Sequence, residues 1–113
     1  MQEEVYELKR TLRELINNLV TRIEEIVELY GKEENEANKR MIFLTEDLAS
    51  LTDGVHSLSS YEDVELNIGE LTEKVQLIVE KLEIQEYSFV SDLLNYELKP
   101  LLEHWSDILW IKN

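Results

Sequence analysis

The chain contains no cysteine, which excludes disulfides, thiolate metal sites and a cysteine nucleophile. It has one proline, Pro100, and three glycines, Gly31, Gly54 and Gly69. Tight turns draw on those residue types, so a fold of many short strands is not expected. Apolar runs stop at three or four residues, as in Leu77-Ile78-Val79, far short of a membrane span. Basic residues are scarce as well: 11 Lys and Arg stand against 25 Asp and Glu, a formal charge of −14. The imbalance deepens along the chain, from 7 basic and 10 acidic residues over 1–40 to 4 and 15 over 41–113. Nucleic acid and anionic membrane surfaces are polyanions that select clustered cations, so neither is an expected partner. The one basic cluster, Lys9, Arg10 and Arg13, is diluted by Glu3, Glu4, Glu7 and Glu14.

What remains is 113 residues, 43% of them apolar, enough for a single domain over 1–113 with its own core. The opening Met-Gln-Glu-Glu-Val is acidic and lacks the basic-then-apolar layout of a signal peptide, so a cytoplasmic location is expected.

Residues 3–30 carry Val5, Leu8, Leu12, Leu15, Ile16, Leu19, Val20, Ile23, Ile26, Val27 and Tyr30 at spacings of three and four, which predicts an amphipathic helix. Gly31 follows as an expected C-cap with positive φ. Arg22, at the stripe's edge, is expected to bury its stem and hold its head in water. A second helix is expected to begin within 32–39. Its seam, Ala37, Met41, Leu44, Leu48, Leu51, Val55 and Leu58, alternates steps of four and three. Gly54 inside that helix costs about 1 kcal/mol against Ala, a cost that a close helix crossing would explain. Ile42 and Phe43 lie off the seam and hint at a second contact face.

Residues 59–67 break the period and read as the one long loop. Asn67 followed by Glu70 starts a third helix in the manner of a capping box, with Ile68, Leu71, Val75, Ile78, Val79 and Leu82 inward and an end near Glu83. A fourth helix is expected over 86–111, with the core stripe Tyr87, Val90, Leu94, Leu98, Leu101, Trp105 and Ile108. A second apolar stripe, Phe89, Leu93, Tyr96 and Pro100, gives that helix more apolar surface than one core contact uses. Pro100 cannot donate to the carbonyl of Tyr96, so a kink is expected there. Four helices with mostly short connections predict an all-α, up-down four-helix bundle.

No set of residues carries recognisable chemistry. A di-iron bundle needs two Glu-x-x-His motifs. His56 has Asp53 three residues before it, but His104 has Leu101. Glu24, Glu25 and Glu28 resemble the Glu-Glu-x-x-Glu of all-helical nucleotide pyrophosphohydrolases, but Glu46 and Asp47 lack the Glu-x-x-Asp spacing that completes a magnesium cluster. His56-Ser57-Leu58-Ser59-Ser60 resembles a histidine-phosphotransfer segment with serines where that family has Lys and Gly. The missing Lys would neutralise the phosphoryl group. By helical angle His56 flanks the seam and is expected to be a partly buried structural residue. No nucleophile elbow or glycine-rich phosphate loop is present.

Residues 87–105, Tyr-Ser-Phe-Val-Ser-Asp-Leu-Leu-Asn-Tyr-Glu-Leu-Lys-Pro-Leu-Leu-Glu-His-Trp, carry one resemblance. Through Tyr87, Asp92, Leu93, Leu94, Tyr96, Glu97, Leu98, Pro100, Leu101, Leu102 and Trp105 the segment resembles the C-terminal signature of a family of small acidic helical proteins from Firmicutes, of unknown function. The resemblance implies a bacterial helical protein and no particular activity.

The expectation is therefore a non-enzymatic, cofactor-free protein–protein interaction module, an adaptor or small regulator. Its partner is another protein or a second copy. Its contact face is expected on the fourth helix at Phe89, Leu93, Tyr96 and Pro100, joined by Trp110. The alternative is a bundle with histidine-phosphotransfer or metal-dependent nucleotide-hydrolase chemistry.

Overall fold

A computed structural model describes residues 2–110. The first helix, α1 (Gln2–Tyr30), is long enough, at about 1.5 Å per residue, to run the length of a molecule measuring 45 × 23 × 20 Å. It is followed by α2 (Glu34–Ser59) and α3 (Ile68–Glu83). The fourth helix is built from α4 (Tyr87–Leu93), a π-helical turn over Leu94–Leu98, and α5 (Lys99–Ile108). Together they form the all-α four-helix bundle that the periodicity predicts.

The α1 stripe buries Leu12, Ile16, Leu19, Ile23 and Ile26, and all seven residues of the α2 seam are buried. Gly54 lets α1 and α2 approach closely, because a Cβ built there would run into the Leu12 Cδ2 methyl. Gly31 behaves differently from expectation. No glycine has positive φ, and the chain leaves α1 through a turn in which Gly31 N–H donates to Glu28 O at 3.1 Å and Lys32 N–H to Leu29 O at 2.9 Å. Arg22 also departs from the snorkelling picture. Its Nη1 donates to Asp47 Oδ2 of α2 at 2.6 Å, because the α2 seam brings a carboxylate to the stem's end.

Asn67 caps α3 by accepting the Glu70 N–H at 3.0 Å. Within α3, Leu71 and Ile78 are buried, while Ile68, Val75 and Leu82 pack at the core's margin. The loop before it contributes to the core through Leu66 and Val64, which the break in period hid. Lys9 pairs with Glu62 and ties the loop to α1.

The turn from α3 to α4 closes without glycine. Gln85 takes the left-handed conformation, φ 60°. Glu86 N–H donates to Lys81 O at 2.9 Å and Gln85 N–H to Leu82 O at 3.1 Å, the two bonds of a Schellman motif. Beside it, the Tyr30 and Tyr87 rings stack 5.6 Å apart and Tyr30 Oη donates to Asn38 Oδ1 at 2.8 Å. Burial and the nearby Tyr87 and Glu34 push the Tyr30 phenol up to about 12.

Pro100 produces the π-helical turn in place of a simple kink. Lys99 N–H reaches back five residues to Leu94 O, which widens the helix just before the proline ring. The wider turn also resets the helix's faces. On an ideal helix, residues four apart drift by about 40° per step. Val90, Leu94, Leu98 and Leu102 are four apart throughout, yet all four are fully buried. Leu109 is likewise buried, and Ile108 and Tyr87 only partly so. The helix ends at Ile108, and the expected end at Ile111 lies outside the described residues.

Candidate interaction surface

The five residues expected to form the contact face take three kinds of position. Phe89, Tyr96 and Pro100 face outward, with Tyr96 68% exposed and Phe89 44%. Leu93 does not join them: it is 8% exposed and part of the core. The reason is α3. Glu97, one turn along from Leu93, accepts from Lys74 Nζ of α3 at 2.8 Å, so that side of the fourth helix is covered. Phe89 lies on the same margin, with Lys81 Nζ 4.9 Å from its ring centroid. Tyr96 sits at the middle of the π-helical turn and makes no side-chain hydrogen bond among the described residues.

Trp110 is 60% exposed, but it is not bare. The Arg13 guanidinium of α1 lies 4.3 Å from the ring centroid, a cation–π contact that holds the last described residue against the first helix. The reset of faces at the π-helical turn places Trp110 beside α1, apart from Phe89 and Tyr96. The apolar outer face therefore consists of Phe89, Tyr96 and Pro100. Glu34, Glu86 and Asp92 surround the hollow beside Phe89, which gives that end an acidic rim.

The residues weighed for chemistry are dispersed or already paired. Glu24 accepts from Lys99 Nζ at 3.4 Å, Glu25 lies 3.8 Å from Arg40 Nη1, and Glu28 accepts from Lys32 Nζ at 3.0 Å. Each carboxylate of the Glu-Glu-x-x-Glu fragment thus meets a different cation. Among the described residues, no three His, Asp or Glu side chains converge as a metal site would require. His56 is exposed, contrary to the expectation of partial burial, because it projects from the edge of α2 that α3 leaves open. No Lys or Arg occurs anywhere in 41–73 to balance a phosphoryl group on it. His104 is exposed on α5.

Among the described residues no helix is long and apolar enough to cross a membrane. No curated protein and no solved structure matches the chain significantly. A family model, described as a domain of unknown function (DUF8042), matches residues 7–108. That match takes in nearly the whole of all four helices, and the chain belongs to the DUF8042 family.

Proposed function

We propose that this protein is a non-enzymatic interaction module, an adaptor or small regulator, that binds another protein through the outer face of its fourth helix. The observation that carries the reading is Tyr96. A large aromatic side chain stays 68% exposed on a helix whose other large apolar residues are mostly drawn into the bundle. It is flanked by Phe89 and Pro100 and raised on a π-helical turn, a feature frequent at functional sites. Exposed aromatic residues of this kind are enriched at protein contacts and supply much of their binding energy. The acidic rim beside Phe89 favours a partner with an apolar centre and basic margins. With a charge of −14 on each copy, a foreign partner is favoured over a symmetric dimer. The resemblance of residues 87–105 to proteins from Firmicutes supports a bacterial, cytoplasmic setting.

The test is to compare Phe89→Ala and Tyr96→Ala with the parent for partner association and for thermal stability. A contact role predicts weakened association with a nearly unchanged melting temperature. Unaltered association of both variants would refute the proposal, and sedimentation of the parent at high concentration identifies a second copy as the occupant.

A further inference from the structure

The four sides of the bundle are not closed equally. α1 packs along α2 and along the fourth helix, and α3 packs against the fourth helix, but α2 and α3 scarcely touch. Between them lies a groove of about 320 Å³ whose floor is Leu48, Leu71 and Val75. It stays open because the facing edges carry short side chains, Thr45, Ala49 and Thr52 on α2 and Thr72 on α3.

Those threonines make most of the wall apolar, and Asp53 and Gln76 supply its polar part. Thr45 Oγ1 donates to Ile42 O at 2.8 Å, Thr52 Oγ1 to Leu48 O at 3.0 Å and Thr72 Oγ1 to Ile68 O at 3.0 Å. With each hydroxyl returned to its own helix, the methyl groups are left to line the groove. Ile42, 58% exposed, sits one turn before Thr45 on the same edge and extends the apolar strip.

The charges left unpaired around it are acidic, since Lys74, between Thr72 and Val75, is engaged by Glu70 and by Glu97 of the fourth helix. Residues 41–73, which form the α2 wall, the loop and the first turn and more of α3, contain eight acidic residues and no Lys or Arg. Among the described residues, Glu46, Asp53 and Glu73 make no ion pair. An apolar trough between unneutralised carboxylates complements an apolar ridge bordered by cations.

We propose that the α2–α3 groove is a second docking site, and that its occupant is a basic amphipathic helix of a partner protein. A helix suits this trough better than an extended peptide, because it satisfies its own backbone donors and acceptors against largely methyl walls, where Asp53 and Gln76 are the polar lining side chains. From Thr45 to Asp53 the groove spans about 12 Å of helix rise, room for a ridge of two apolar residues one turn apart. A second copy of this acidic chain does not supply the cations. The site shares no residue with the fourth helix, so it stands or falls independently of the face around Tyr96.

The test is an NMR titration of the full ¹⁵N-labelled chain with a 15-residue alanine-based helical peptide that carries two leucines at i, i+4 and lysines along the borders of that ridge. A control peptide carries glutamates in place of the lysines. Saturable amide shifts confined to 42–53 and 68–79 are expected from the lysine peptide, and none from the control. Ala49→Arg fills the trough with a cation and Asp53→Lys reverses its rim. Both positions are exposed, so folding should persist, as cooperative melting checks. Each is expected to weaken binding by about tenfold or more. Shifts centred on the fourth helix, shifts spread over every acidic surface, equal binding of the control peptide, or full affinity in both variants would overturn the proposal.

Discussion

Replacing Gly54 with alanine sets a local preference against a tertiary contact, and the structure decides the sign. In an exposed helix, Gly→Ala stabilises by about 1 kcal/mol. Here the new Cβ overlaps the Leu12 Cδ2 methyl, while Leu12 Cγ, at 3.6 Å, stays in ordinary contact. Leu12 is itself buried, so its methyl can turn away only into packed core. Overpacking of this kind costs about 1–3 kcal/mol. The net effect of Gly54→Ala is therefore a destabilisation of about 1 kcal/mol, or roughly 4 °C in melting temperature for a domain of this size. The Leu12→Val background removes the offending methyl at its own cost of about 1–2 kcal/mol. Adding Gly54→Ala there restores the helical gain and stabilises by about 1 kcal/mol, a coupling of about 2 kcal/mol between the sites. Urea denaturation of the four proteins measures it, provided the slopes agree. If Gly54→Ala stabilises both backgrounds equally, the close crossing of α1 and α2 is wrong.

Three further outcomes follow from the fold. Gln85→Gly relieves the left-handed φ of 60° and should raise stability by about 0.5–1 kcal/mol in thermal melts. Leu93→Ala should cost about 2–4 kcal/mol while Tyr96→Ala stays within about 0.5 kcal/mol, which denaturation of the two variants compares directly. Tyr30, with its phenol pushed up to about 12, should ionise well above the ordinary tyrosine value near 10 in an ultraviolet titration, and Tyr30→Phe should remove that late step. Because its folded value lies above the unfolded value near 10, its contribution to stability is complete below about pH 10 and is lost as pH rises toward 12.

Those outcomes also mark where the chain was readable. The α2 seam was fully legible, since steps of four and three keep one line on a straight helix and all seven of its residues are buried. The Asn67 cap was legible because its signal is local. The fourth helix was only half legible. Projection at 100° per residue leaves out Leu102 and Leu109, because the π-helical turn before Pro100 changes the angle carried forward, and it sets Leu93 outside, because the cover that α3 gives that side has no sign in the helix's own period. Gln85 in a left-handed turn ran against the preference for glycine, and its position is secured by the helices on either side. Leu66 was hidden in a loop, where burial follows no period. The groove between α2 and α3 left a fainter sign. Thr45, Ala49 and Thr52 repeat at steps of four and three beside the seam, but short side chains read as filler until the neighbouring helix is placed.

The face around Tyr96 is best tested by replacing Tyr96 with a photo-crosslinking phenylalanine analogue in the native cell. The same analogue at exposed Glu103 serves as the control. A contact site predicts one discrete adduct from position 96, absent from position 103 and lost when Phe89→Ala is added. No adduct from position 96, or the same adducts from both positions, would contradict the assignment of the fourth helix as the surface through which this protein acts.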